Sequence, residues 1–116
     1  MEFTVSMKNN YEFRSLYRKG RSAATPRLVV YCRPVRRRES HLGITVSTKL
    51  GKAVRRNRIR RRLREIYRLN EHRLVPGRDV VIVARMRSAE AGYHELEADF
   101  LRLAGKLGLL KETDGA

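Results

Sequence analysis

Apolar positions recur along the chain with two periods, and together they predict six elements and one strand extension. Phe13, Leu16 and Tyr17 fall at i, i+3 and i+4, the spacing of one helix face, while Arg14, Arg18 and Lys19 occupy the other. Asn9 and Asn10 suit an N-cap, Glu12 stands three residues after Asn9 in a capping-box arrangement, and Gly20 suits a C′ position. A first helix is predicted over 11–19. The run Leu28-Val29-Val30-Tyr31-Cys32, between Pro26 and Pro34, is rich in β-formers and predicts a strand over 27–33. After a polar, basic connection over 35–41, strict alternation returns. Leu42, Ile44 and Val46 point one way and Gly43, Thr45 and Ser47 the other, predicting a half-buried strand over 42–47 with a small, polar second face.

The helical period is strongest over 52–70. There Ile59, Leu63, Ile66 and Asn70 form one stripe, and Asn57, Arg61, Arg64 and Arg68 form another on the opposite side. The break at Pro76-Gly77 ends this segment. The uninterrupted run Val80-Val81-Ile82-Val83-Ala84 then predicts a strand over 79–85 that is covered on both faces or central in its sheet. Leu96, Phe100, Leu103 and Leu107 give a last helix, beginning at Gly92 or Tyr93 and ending at Lys106, that covers the sheet. The tail over 111–116 is polar and is expected to fray. With a strand extension over 22–25, the order is α-β-β-β-α-β-α. This is an α+β fold, a two-layer sandwich whose one mixed sheet has about four strands.

Composition changes this picture in two respects. The chain has 116 residues, a length that fits a single domain over 1–116 and excludes a cofactor domain beside a substrate domain. One cysteine, Cys32, allows neither an internal disulfide nor a CxxC pair. No apolar run approaches the roughly 20 residues of a membrane span, and the first ten residues lack the apolar middle of a secretory signal, so a cytoplasmic protein without a membrane partner is expected. The 27 Lys and Arg against 12 Asp and Glu give a net charge of +15. That charge is regional: residues 1–78 hold 22 basic and 5 acidic side chains, and residues 79–116 hold 5 and 7. A concentrated positive field captures a polyanion, whereas solubility alone needs only mixed charge.

The field is densest on the second helix, with eight arginines among the fourteen residues from Arg55 to Arg68. Glu65 alone cannot pair them, and like charges at i, i+4 repel by a few tenths of a kcal/mol per pair. A polyanion removes that repulsion. Arginine suits phosphate because its planar fork makes two parallel charge-assisted hydrogen bonds. His41, His72 and His94 lack zinc-ligand spacing, no cysteine–histidine signature is present, and no Gly-rich phosphate loop precedes a helix. Carboxylates are sparse where the charge is dense, which argues against a two-metal nuclease site built by the protein. The residues thus offer no recognisable metal-ligand or catalytic signature.

The stretch Gly51-Lys52-Ala53-Val54-Arg55-Arg56-Asn57-Arg58-Ile59-Arg60-Arg61, followed by Arg64-Glu65, resembles the RNR signature of the bacterial ribonuclease P protein subunit. The helix containing Tyr11-Glu12-Phe13, the strand end Gly43-Ile44-Thr45-Val46-Ser47-Thr48-Lys49 and the strand Asp79 to Arg85 extend the resemblance over about residues 7 to 110, the expected folded core. The resemblance implies a subunit that binds a large catalytic RNA and the 5′ leader of precursor tRNA. The RNA, using Mg²⁺ bound mainly by itself, hydrolyses the phosphodiester and leaves mature tRNA 5′ ends. By the same resemblance the enzyme is expected to be an endoribonuclease whose catalysis lies in its RNA, with no catalytic or metal-ligating side chain in the protein and no small-molecule substrate.

Carried over by position, Arg56, Asn57 and Arg58 match the triplet, with Arg61, Arg64 and Lys52 extending its face toward the catalytic RNA. Phe13, Tyr17 and Tyr31, with Lys49 beside them, match the leader-binding cleft. Spacing alone reads the aromatic trio as packed core; the resemblance implies a stacking surface instead. Arg14 and Lys19 are further contact candidates around the two surfaces. The resemblance also implies a left-handed crossover through the second helix, where general rules favour right-handed ones in about 98% of cases. Arg62 stands where the family commonly has leucine, on the shoulder of the buried stripe, which fits either a changed packing of this helix or a side chain that snorkels past the sheet edge. Arg36, Arg37 and Arg38 fit either additional RNA contact or solvated charge. The competing readings are a ribosomal or other non-catalytic RNA-binding protein and a DNA-binding regulator. The second is disfavoured because the arginine helix lacks a varied set of base-reading side chains.

Overall fold

The computed structural model describes residues 1–112. Five strands, β1 (Thr4–Ser6), β2 (Arg21–Ala24), β3 (Leu28–Pro34), β4 (Ser40–Val46) and β5 (Arg78–Ala84), form one sheet in the order β1-β4-β5-β3-β2. Pairing is parallel for β1/β4 and β4/β5 and antiparallel for β5/β3 and β3/β2. Helices α1 (Asn10–Lys19), α2 (Ala53–Asn70) and α3 (Tyr93–Lys106) pack on it, and parallel neighbours β4 and β5 are joined through α2. The class is the α+β mixed sheet expected from the pattern, with five strands in place of four.

The continuous apolar run of β5 follows from its central place. Val80, Ile82 and Ala84 face the core beneath α2 and α3, with Leu63, Ile66, Phe100 and Leu103, while Val81 packs with Met7 and Leu16 under α1. Alternation along the strand thus supplies both faces. Asn70, a polar residue in the apolar stripe of α2, is buried. Its side-chain amide donates to the Ile66 carbonyl at 2.8 Å and to Glu97 at 3.0 Å.

The additional strand is β1. It is three residues long and is held by a residue far away in sequence: the amides of Glu2 and Phe3 donate to the buried Glu71 carboxylate at 2.7 and 3.3 Å. The Thr4 hydroxyl lies 3.0 Å from the Tyr67 hydroxyl, which burial pushes up to about 12. The proposed extension near 22–25 is a true strand, β2, beginning at Arg21.

Two local expectations are corrected. Gly20 closes α1 with φ −79°, outside the left-handed region, its N–H bonding the Leu16 carbonyl at 2.8 Å. A Cβ there would come within 2.7 Å of that oxygen and 3.1 Å of the Cys32 carbonyl, so close backbone approach explains this glycine. The chain after α3 is tied down as far as Lys111, whose amide donates to the Arg73 carbonyl at 2.8 Å, while the Val75 amide reaches Leu109. The rest of the expected frayed tail, 113–116, lies outside the described residues.

Candidate nucleic-acid interface

The first surface is built by α2. Gly51, at φ 122°, turns the chain out of a short 3₁₀ turn (Thr48–Leu50) into the helix, a conformation that favours glycine. Burial of Ile59, Leu63, Ile66 and Tyr67 against the sheet then turns Asn57, Arg58, Arg61, Arg64 and Arg68 outward. Arg56 is half-buried, and its Nε donates to the Gly51 carbonyl at 3.1 Å. Arg60 Nη1 donates to Asn57 Oδ1 at 2.9 Å, so part of the triplet is braced by its neighbours. Only Arg68 has a carboxylate on this helix: it binds Glu65 and holds that carboxyl below its ordinary value. Arg58, Arg61 and Arg64 have no ion-pair partner among the described residues. No side chain caps the first turn of α2, leaving its amides and the positive end of its dipole beside Lys52, Arg55 and Arg58. An open depression of about 630 Å³ is lined there by Gly51, Lys52, Val54, Arg55, Arg58 and Ala89.

The second surface is a cleft of about 400 Å³ between α1 and the end of β4, lined by Asn10, Phe13, Arg14, Tyr17, Ile44, Thr45, Val46 and Arg60. The helical face predicted for α1 divides by depth: Leu16 is fully buried, whereas Tyr17 keeps 39% of its surface exposed. The Phe13 and Tyr17 rings lie 6.5 Å apart, and Tyr31 meets Tyr17 edge-on at 4.9 Å. The Tyr17 hydroxyl is fixed 2.9 Å from Thr45 Oγ1. The small second face of β4 makes room for this wall, because a Cβ on Gly43 would come within 2.5 Å of the Phe13 ring.

Of the residues expected at the cleft, Phe13 and Tyr17 line it. Tyr31 stands behind them, half-buried against the cluster of Met7, Leu16 and Val81. Lys49 is exposed on the 3₁₀ turn and does not line the cavity, and Lys52 belongs to the α2 depression. The residue that sequence reasoning missed is Arg60. One residue past buried Ile59, it is rotated about 100° from the apolar stripe, and that offset aims it at the cleft rather than out with Arg58 and Arg61. It touches both surfaces, lining the cleft and bracing Asn57 of the triplet.

Arg62 and the basic loop are also resolved. Half-buried Arg62 donates to the Ala91 carbonyl at 3.1 Å and so ties α2 to the start of α3. Arg37 pairs with buried Asp79, which Arg33 also reaches at 3.5 Å; Arg36 and Arg38 stay exposed. Asp79 joins Glu12 and His41 in the one cluster of potential metal ligands among the described residues. Its donors are already engaged, however: His41 Nδ1 lies 2.8 Å from Glu12 and Nε2 lies 3.1 Å from Glu39, while two guanidinium groups hold Asp79. The two surfaces themselves present cations and aromatic rings, with one carboxylate, Glu65, bound to Arg68. Such a donor set does not fit a protein-held Mg²⁺, which takes oxygen ligands. His72 and His94 are exposed. Cys32 is buried, and burial pushes its thiol up, away from thiolate reactivity.

A small basic α+β protein with an arginine-faced helix beside an aromatic-walled cleft is built to meet a polyanion that offers both phosphates and bases. Known proteins share the sequence and the fold. The Ribonuclease P family model matches residues 1–108. The ribonuclease P protein component of Natranaerobius thermophilus is 38% identical over 113 residues, covering 97% of this chain and 98% of that protein. That of Geobacillus thermodenitrificans is 42% identical over 114 residues, covering 97% and 93%. The RNase P protein structure from Staphylococcus aureus superposes with a TM-score of 0.84 at 28% identity, covering 91% of this chain and 97% of that one. The structure from Thermotoga maritima gives 0.77 at 29%, covering 84% and 93%. The chain belongs to the ribonuclease P protein component family. Its place is in an endoribonuclease holoenzyme that has an RNA partner and serves tRNA processing.

Proposed function

We propose that this protein binds the catalytic RNA of ribonuclease P through the arginine face of α2 and the single-stranded 5′ leader of precursor tRNA through the cleft. In this way it promotes Mg²⁺-dependent removal of the leader in the cytoplasm. The observation that carries the reading is the joining of the two surfaces through Arg60, so that an RNA lying along α2 and a strand entering the cleft share one wall. On α2, Arg56, Asn57, Arg58, Arg61, Arg64 and Lys52 meet folded RNA mainly through phosphates, with affinity that falls as salt rises. In the cleft, Phe13 and Tyr17 offer stacking faces that accept any base, worth roughly 1–3 kcal/mol per base, while Arg60 and Arg14 follow the backbone. Tyr31 fixes the Tyr17 ring edge-on, and Lys49 adds positive potential at the end of β4. The nucleophile and its Mg²⁺ belong to the RNA, in keeping with two interface surfaces whose one carboxylate, Glu65, is bound to Arg68. The protein's own work is to hold and orient the leader.

The test is to compare precursor with mature tRNA for binding to the assembled holoenzyme. Tyr17→Ala reduces the preference for precursor by about five- to a hundredfold and leaves mature tRNA unchanged. Equal binding of the two tRNAs by the parent holoenzyme is the outcome for a general RNA-binding protein, and it refutes the reading.

A further inference from the structure

We infer that the outer face of α1 is a second single-stranded RNA platform, which takes the nucleotides of the leader that lie beyond the cleft. The inference rests on the reading of the cleft as a leader site and extends it to a surface that reading uses only at Arg14. Tyr11 is 77% exposed, more than any other large apolar side chain described. An exposed tyrosine alone is ordinary, but this one lies in a built setting. Arg14, Ser15 and Arg18 follow it at i+3, i+4 and i+7, on the same side of the helix, and with Lys19 they line a groove of about 170 Å³.

The groove adjoins the cleft, with Arg14 standing between them and lining both. Its chemistry is that of a backbone track: Arg14, Arg18 and Lys19 have no ion-pair partner among the described residues. The one carboxylate of α1, Glu12, is turned away and held by His41 at 2.8 Å. Arg33, which also reaches Asp79 at 3.5 Å, donates to the Ser15 hydroxyl at 2.7 Å and ties this side of α1 to the sheet. A phosphate passing Arg14 on leaving the cleft next meets Arg18, with the Tyr11 ring free for a base to stack on. The surface therefore repeats, in shallower form, the pairing of aromatic and guanidinium groups found in the cleft, which suits single-stranded RNA of any sequence.

The test uses the assembled holoenzyme and precursor tRNAs carrying leaders of about three and about twelve nucleotides, one shorter than and one within the roughly 4–16 nucleotides that one small single-strand-binding domain covers. The parent holoenzyme is expected to bind the longer leader more tightly. Tyr11→Ala removes that gain, weakening the long-leader complex about fivefold or more, while the short-leader complex is unchanged and Tyr11→Phe keeps the gain. Tyr11 is too exposed for these changes to unfold the chain. Retention of the full gain by Tyr11→Ala, or absence of any gain in the parent, overturns the platform even if the short leader still binds better than mature tRNA. If the short leader gives no advantage over mature tRNA, the cleft reading itself fails and the platform falls with it.

Discussion

Replacing Gly43 by alanine tests whether the cleft wall stands where the structure places it. Gly43 pairs with Val81 in the middle of the sheet and is not among the positive-φ glycines, so alanine fits its backbone without strain. The obstacle is space. The new methyl group would lie 2.5 and 2.6 Å from Cε1 and Cζ of Phe13, where ordinary contact begins near 3.4 Å, and the Met7 sulfur stands at 3.3 Å. The ring must retreat by about 1 Å, into the cleft it lines. Overpacking of this kind costs about 1–3 kcal/mol. The smaller conformational freedom of alanine in the unfolded chain returns about 0.4–1 kcal/mol. A net loss of about 1.5 kcal/mol corresponds to a Tm lower by about 6 °C for a domain of this size. Thermal unfolding followed by circular dichroism measures the first effect, and titration of the holoenzyme with leader-bearing tRNA measures the second, a loss of affinity that mature tRNA does not share. Phe13→Leu, which frees the space, should recover most of the lost stability in the double variant, giving a coupling of about 1 kcal/mol. A Gly43→Ala protein as stable as the parent, with no coupling to position 13, would refute the packing of Phe13 over β4.

Three further outcomes follow from the structure. Burial opposes ionisation of Glu71, but the Thr4 hydroxyl, the amides of Glu2 and Phe3 and the terminal ammonium outweigh it and hold the carboxyl below its ordinary 4.5. The stabilisation it gives β1 is therefore complete above that value and is lost as pH falls through the lower, folded value. Glu71→Gln should lower Tm at neutral pH and flatten the acid limb of the Tm–pH curve; an unchanged acid limb contradicts the anchor. Arg62→Ala removes one hydrogen bond to a backbone carbonyl and should cost about 1 kcal/mol in urea unfolding, with no change in the salt dependence of RNA binding. A reduced salt slope would show that Arg62 meets phosphate instead. Arg58→Ala should do the reverse, leaving stability intact and reducing the slope of log affinity against log salt by up to about one unit. An unchanged slope removes Arg58 from the interface.

Elements carried by local period were legible in the sequence. The α2 stripe from Ile59 to Asn70, the β5 run and the α3 stripe each bury a face that their own spacing defines, and they stand within a residue or two of the expected bounds. Features made by distant partners were not. Strand β1 has no alternation to detect and depends on Glu71, 69 positions from Glu2. Arg37 read as one of three equivalent loop arginines, until Asp79 of β5 made it a structural ion pair beside exposed Arg36 and Arg38. At the site, the arginine face of α2 was visible from spacing because the helix sorts it away from the buried stripe. Arg60 was hidden because its role comes from where α1 lies, across the sheet, which no spacing within α2 encodes. Tyr31 and Lys49 were assigned to the cleft by resemblance. The structure sets Tyr31 behind its wall and Lys49 outside the cavity, since Tyr31 on β3 packs half-buried against the cluster under α1 and Lys49 stands on the 3₁₀ turn that follows β4.

The most direct measurement of the central claim is cleavage of precursor tRNA by the cognate catalytic RNA at low Mg²⁺, with and without this protein. The account predicts that the protein stimulates cleavage at the mature 5′ end, and that Tyr17→Ala and Arg58→Ala each reduce the stimulation. Cleavage that the protein leaves unchanged, under conditions where it binds the RNA, would contradict the account.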